Sequence, residues 1–226
     1  FSLEGKTILL TGAAGGIGGA LAKGMAGIGA AVCLCDVSKE RLQALEEEIR
    51  QDGGKAEAYV MDVTKKESIQ HVVSAIAEKY GKIDVLCNVA GINKREGILD
   101  VTEETYDRIM DINLKGVFMV SQEVARYMIR QHGGNIINIG SHNATAMLGG
   151  CSVDGATKSG VVALTRSMAI EWAEWGIRAN AVSPGHILTP LTQVTWDHPT
   201  RGDYLRDRIA MRRPGRPEEL VGLICM

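Results

Sequence analysis

An apolar run, Lys6 to Leu10, leads into Thr11-Gly12-Ala13-Ala14-Gly15-Gly16-Ile17-Gly18 and from there into a small-residue helical pattern, Ile17 to Ile28. This strand–turn–helix restricts the fold more than any other feature of the chain. Glycines at such a turn let the backbone come close to a ligand and let the helix pack on the sheet. The helix N-terminus offers amide donors and the positive end of a dipole, which together suit a phosphate. A glycine-rich turn alone is often no more than a tight connection, so the rest of the chain must decide.

The pattern that follows alternates strand and helix. Ala30 to Cys35 is a second apolar run, stopped by Asp36, and Leu42, Leu45 and Ile49 then recur at helical spacing. A third strand, Ala58 to Met61, is stopped by Asp62. Thr64 and Glu67 have the spacing of a capping box, ahead of a helix with the apolar stripe Ile69, Val72, Val73 and Ile76. Further strands are expected at Ile83 to Val89, Ile136 to Ile139 and Ala179 to Val182, with a helix over Thr157 to Trp172. Repeated β-α-β units imply right-handed crossovers and a parallel sheet. Strands that are apolar throughout imply helices on both faces. The expectation is one α/β domain over residues 1–226, a doubly wound Rossmann arrangement. The long irregular stretch from Gly185 to Tyr204, rich in Thr, Pro and His, is read as a lid within residues 185–210.

Composition narrows the function. The chain has 226 residues, with 25 Lys+Arg against 27 Asp+Glu and a net charge of −2, which argues against a polyanion binder. Aromatic residues are only 4%, too few for stacking on nucleic-acid bases. No apolar run is long enough for a membrane span, and no leader pattern opens the chain. The five cysteines, Cys33, Cys35, Cys87, Cys151 and Cys225, include no C-x-x-C pair and suggest no metal site. Cys33 and Cys35, two apart on a strand, face the same way and do not bridge easily, so buried thiols in a reducing, cytoplasmic setting are expected. The absence of an initiator Met and an end inside an apolar pattern, Leu223 to Met226, suggest an ordered portion of a longer chain.

Asp36 closes the second strand, where an acid accepts from both ribose hydroxyls of NAD and repels a 2′-phosphate. The other reading is a solvated strand-end carboxylate, and the strand–turn–helix context favours the cofactor role. Asp62 has two readings as well, as a contact for the adenine edge or as a helix N-terminal carboxylate beside Thr64.

Thr11-Gly12-x-x-x-Gly16-x-Gly18, Asn88-Val89-Ala90-Gly91, Asn113, Ser141, Lys158 and Pro184-Gly185 follow one another in an order and spacing that resemble the short-chain dehydrogenase/reductase family. The resemblance covers nearly the whole chain. It implies a single Rossmann domain with its site at the carboxyl edge of the sheet, and a last strand that this sequence lacks. For NAD it implies contacts from Gly12, Gly16, Ile17, Gly18, Asp36, Asp62, Val63, Asn88, Ala90, Gly91, Lys158, Pro184, Gly185, Ile187 and Thr189. It further implies that Ser141 steadies the substrate oxygen, Lys158 holds the nicotinamide ribose and Asn113 supports a proton relay, with a Tyr as the acid/base. The family motif is Tyr-x-x-x-Lys, yet this chain reads Asp154-Gly155-Ala156-Thr157-Lys158. Because Ser141 keeps its spacing and the residues after 154 keep the usual sequel, the acid/base position itself is taken to be replaced. A free Tyr titrates near about 10 and a free Asp near about 3.9. A carboxylate beside Lys158 would stay ionised, offer no proton and neutralise the lysine. Three explanations stand: an introduced substitution that disables the enzyme, a natural variant that binds NAD without turnover, and an enzyme using Asp154 as its base. Val89 also departs from the commoner Asn.

The segment Asn93 to Phe118 resembles gluconate 5-dehydrogenase and ketodeoxygluconate dehydrogenase members. That implies a polyol, sugar or sugar acid, an alcohol/ketone pair met by Asn93, Arg95, His142, Asn143 and His186. Lys94 and Arg95 are equally read as solvated loop charges. The family likeness implies a homotetramer that pairs through Glu104 to Arg130 and Thr157 to Trp172. Two functions remain open: an NAD-dependent oxidoreductase, disabled in this form by Asp154, and an NAD-binding protein without turnover, serving as sensor or assembly partner. A purely structural Rossmann domain fits poorly with the glycine turn and Asp36.

Overall fold

Successive residues of a strand face opposite sides of the pleat, so runs such as Ile8-Leu9-Leu10 need cover on both sides. In the computed structural model, which describes residues 1–226, six strands meet that need: β1 (Thr7–Thr11), β2 (Ala31–Asp36), β3 (Lys55–Val60), β4 (Val85–Asn88), β5 (Gly134–Ile139) and β6 (Ile177–Val182). All pair in parallel, in the order β3-β2-β1-β4-β5-β6.

Ile8, Leu10, Val32 and Leu34 meet Leu21 and Met25 of α1 (Gly16–Gly27) and Leu42 and Ile49 of α2 (Lys39–Gln51) on one face. Leu9, Cys33, Leu86 and Ile136 take the other face. There they meet α3 (Lys66–Tyr80), α5 (Val117–Arg130) and α6 (Ser152–Glu171), through residues such as Val73, Val120 and Met168. This is the doubly wound arrangement that the alternation predicts. Cys33 and Cys35 lie in the same layer, as their spacing requires, and all five cysteines are free thiols. Burial pushes the Cys33 thiol up to about 12, so it packs as an inert small hydrophobe. No helix is long and apolar enough to cross a membrane.

Several elements depart from expectation. β3 starts at Lys55 rather than Ala58 because Glu57 is compatible with the strand: its carboxylate accepts from Tyr59 Oη (2.8 Å), Tyr80 Oη (3.0 Å) and Lys79 Nζ (2.7 Å). The capping box at Thr64 and Glu67 does not form. Lys65 caps α3 without a side-chain bond, and the Thr64 hydroxyl donates instead to Asp62 Oδ1 at 2.6 Å. Asp62 also accepts from the Thr64 amide, so a local Asx turn competes successfully for the residue. The stretch after Gly185 contains two helices, α7 (Pro190–Trp196) and α8 (Pro199–Arg208), each with proline in its first turn. A proline there starts a helix instead of breaking one. Thr189 and Thr192 form a reciprocal cap on α7.

β1 is flanked by β2 on one side and β4 on the other, with Thr11 in register with both Cys35 and Asn88. Chain direction across the sheet reverses at that point. Ligands of open α/β sheets bind in the crevice outside the carboxyl ends at such a switch.

Candidate active site

A cavity of about 520 Å³ opens along the carboxyl edge of the sheet, from Gly12 and Asp36 at one end to His142 and His186 at the other. At the glycine end the turn is forced by sterics. Gly12 has φ +70°, and a Cβ there would stand 2.6 Å from the Ala90 amide nitrogen. A Cβ on Gly18 would lie 2.1 Å from the Gly12 carbonyl oxygen, so α1 can pack this closely only on glycine. No side chain caps α1, and its first turn carries no acid, which leaves its positive end facing the cavity. The Thr11 hydroxyl accepts from the Val89 and Ala90 amides (3.1 and 3.3 Å) and ties the turn to the end of β4. That tie uses only the Val89 backbone, so its side chain costs the junction nothing.

Asp36 is half-buried at the end of β2. Its oxygens accept from the Ala14 and Ser38 amides, each at 3.2 Å. A carboxylate has about four acceptor sites, so it retains capacity toward the cavity. Arg41 of α2, which the sequence reading passed over, lines the same end and donates to the Ala14 carbonyl. Its only signal in the sequence is a cation in the helix after Asp36. Asp62 and Val63 also line this end. Burial raises the Asp62 carboxyl, but hydrogen bonds from Thr64 and Lys65 outweigh it and hold the group below its ordinary range.

The other end is built on an irregularity. α4 (Glu103–Met110) continues into α5 through a π-helical turn, Asp111–Gly116, which contains Asn113. Such widened turns often mark functional positions. Asn113 Oδ1 accepts from the Ile92 amide and its Nδ2 donates to the Ile92 carbonyl, both at 2.8 Å. The same Nδ2 donates to Asp154 Oδ1 at 3.3 Å, while Asn143 Nδ2 donates to Asp154 Oδ2 at 3.2 Å. Asp154 is thus a buried carboxylate held by two amides.

Lys158, one turn along α6, is buried and donates to the Ile139 carbonyl at 2.9 Å. Burial lowers its pKa, and the charge of Asp154 partly opposes that. The two groups form no ion pair: Asp154 is engaged by the asparagines and Lys158 by β5. The charge of Asp154 therefore acts on Lys158 without a direct ion pair. Ser141 starts a short 3₁₀ turn, His142–Ala144, and its Oγ accepts from the Asn143 amide at 3.1 Å. No protein acceptor claims its proton.

Every expected site residue lines this cavity except Asn88. Asn88 stands behind the wall, donating to Ser121 Oγ (2.9 Å) and Asn138 Oδ1 (2.8 Å), and Asn138 in turn donates to Thr165 (2.9 Å). That polar network beneath the site was invisible in the sequence, because its members come from four separate elements. Arg95, Asn93, His142 and His186 line the far end, and the His186 ring stacks on Trp196 of α7 with centroids 5.6 Å apart. Lys94 is not in the wall; it pairs with Glu96 at 2.6 Å.

Residues 6–200 match the family model described as short chain dehydrogenase. The chain is 41% identical over 222 residues to the 3-oxoacyl-acyl-carrier-protein reductase of Thermotoga maritima, covering 98% of this chain and 89% of that one. The crystal structure of a gluconate 5-dehydrogenase from Burkholderia cenocepacia, in complex with NADP and tartrate, superposes with a TM-score of 0.94 at 35% identity, over 98% of this chain and 87% of the other. An NAD⁺-bound xylitol dehydrogenase gives 0.95 at 32% identity, over 100% and 92%.

Proposed function

The chain belongs to the short-chain dehydrogenase family, and on that premise we propose that it is an NAD-dependent oxidoreductase for the hydroxy/keto group of a polyol, sugar or sugar acid, disabled in this form by Asp154. The observation that carries this reading is one continuous cavity with a glycine cradle and Asp36 at one end and Ser141, Asn113 and Lys158 together at the other.

The residues fit the dinucleotide. Gly12 and Gly18 leave the backbone open where a Cβ would collide, and the uncapped start of α1 suits a pyrophosphate. Asp36 offers acceptors to ribose hydroxyls and repels a 2′-phosphate, which favours NAD over NADP. When bound, the nicotinamide supplies the site that takes or gives hydride. Ser141 donates its free proton to the substrate oxygen. Lys158 holds a donor at the buried end of the cavity, and Asn113 fixes the Ile92 backbone and position 154 in one arrangement.

Asp154 occupies the place where the family has its acid/base Tyr. Both its oxygens accept from amides, and its side chain is a ring shorter than that of tyrosine, so it falls short of a substrate carbonyl. Loss of a positioned acid/base costs roughly 100- to 10,000-fold in rate. That same observation favours the second reading, a natural NAD-binding protein without turnover. Titrating NAD into the chain by calorimetry, and assaying NAD reduction after Asp154→Tyr, separates the two. Restored turnover on polyols or sugar acids supports the enzyme; NAD binding with no turnover in either form supports the binding protein. Assembly as a homotetramer is supported by Phe118 of α5 and Ile170 of α6, whose side chains are exposed at 41% and 78%. Sedimentation of the chain tests it.

A further inference from the structure

Residue 14 lies in the middle of the glycine turn, and side chains from the adjoining strand and helix hold both of its backbone polar groups. The Ala14 amide donates to Asp36 Oδ2 at 3.2 Å, where β2 ends, and the Ala14 carbonyl accepts from the guanidinium of Arg41 in the first turn of α2. Arg41 is the only donor that this carbonyl meets. Ala14 is buried, and a buried carbonyl left without a donor is costly, so the bond matters although Arg41 itself is exposed. The other ties of the turn are backbone bonds, from the Ala13 amide to the Cys35 carbonyl at 3.2 Å and from the Gly15 amide to the Gly12 carbonyl at 3.0 Å. Arg41 is available for this because α2 offers it no acid. Glu46 pairs with Arg50, Glu48 pairs with Lys23 of α1, and Glu47 accepts from Gln51. The residues three and four positions from Arg41 are Val37, Ser38, Ala44 and Leu45, none of them charged. Asp36 is engaged by the Ala14 and Ser38 amides and forms no ion pair with it.

We propose that Arg41 is a positioning residue for the nucleotide: it straps the glycine turn through the Ala14 carbonyl, so that the amides of the turn stand aimed at a pyrophosphate before one binds. The inference rests on the nucleotide-binding part of the reading above and adds a residue to it. A loop that must be ordered on binding loses affinity to that ordering, and a loop held in place beforehand does not. Asp36 and Arg41 hold residue 14 from its two ends, while Gly12 and Gly18 leave out the side chains that would block the turn. The unpaired guanidinium also adds positive charge at the end of the cavity where α1 starts without a cap.

ADP carries the pyrophosphate and adenosine does not, so each is titrated by calorimetry into the parent chain, Arg41→Gln and Arg41→Lys. Arg41→Gln should weaken ADP about tenfold and leave adenosine unchanged. Arg41→Lys, which keeps a charged donor, should retain part of the ADP affinity. A charge acting through space would give the same titrations, so hydrogen exchange is followed by mass spectrometry over Thr11 to Gly19 in the nucleotide-free chain. The strap predicts faster exchange there in Arg41→Gln, with β4 and β5 exchanging as in the parent, which also shows that the variant is folded. Unchanged ADP affinity, equal losses for ADP and adenosine, or unchanged exchange in the turn overturns the strap and leaves the nucleotide reading standing. If neither ADP nor NAD binds the parent chain, that reading falls and the strap with it.

Discussion

Asp154 sits where two asparagine amides and a buried lysine converge, and its chemistry sets that of its neighbours. Its negative charge opposes the burial that lowers the Lys158 pKa. Asp154→Asn removes that support, so the lysine pKa should fall further; ¹³C-detected titration of the lysine side chains reads the change, and an unmoved or raised value contradicts the assignment. On the proposed reading, Asp36 selects the nucleotide at the other end of the cavity. Asp36→Ala should weaken NAD binding by about tenfold, through loss of charge-assisted bonds, and let NADP compete. Parallel titrations of the two nucleotides check this. An unchanged NAD:NADP ratio contradicts it, and leaves Arg41 as the group that decides the preference.

At the scale of elements, the site depends on two local departures from regular structure: the left-handed Gly12 turn and the π-helical turn that carries Asn113. Gly18→Ala places a methyl 2.1 Å from the Gly12 carbonyl. Overpacking of this kind costs about 1–3 kcal/mol, so the variant should unfold at lower urea and bind NAD weakly. A variant of parental stability and affinity would show that α1 can shift at no cost. The glycine turn, the strand runs and the two-faced sheet were legible in the sequence because each is a periodic or steric necessity. What was not legible depended on choices between competing partners. Thr64 had the spacing of a cap and bonded Asp62 instead. The third strand was expected to start at Ala58, yet it begins at Lys55, with Glu57 held by Tyr59, Tyr80 and Lys79. The stretch after Gly185 read as irregular, yet Pro190 and Pro199 start helices there. Asn88 carried a family motif into the core, not into the cavity. The π turn leaves no mark on the hydrophobic pattern, and nothing in the sequence reading pointed to it.

The molecule as a whole has a pH dependence that can be traced to one edge of the sheet. Burial alone raises the Glu57 carboxyl, but bonds from Lys79, Tyr59 and Tyr80 bring it below the ordinary 4.5. A carboxyl whose pKa is lower in the folded than in the unfolded chain adds stability above its unfolded value, and that stability is lost as pH falls through the folded value. The urea midpoint of the parent chain should therefore exceed that of Glu57→Gln at pH 7, with the gap closing in acid; a gap that ignores pH contradicts the assignment. On the proposed reading, one cavity joins a nucleotide cradle to a reduction site that lacks only its proton donor. The most direct test is NAD reduction over a panel of polyols and sugar acids by the parent chain and by Asp154→Tyr, with NAD binding measured on both. Both forms should bind NAD, and only the tyrosine form should turn over. If both bind and neither reacts, the oxidoreductase reading is contradicted and a nucleotide-binding protein takes its place.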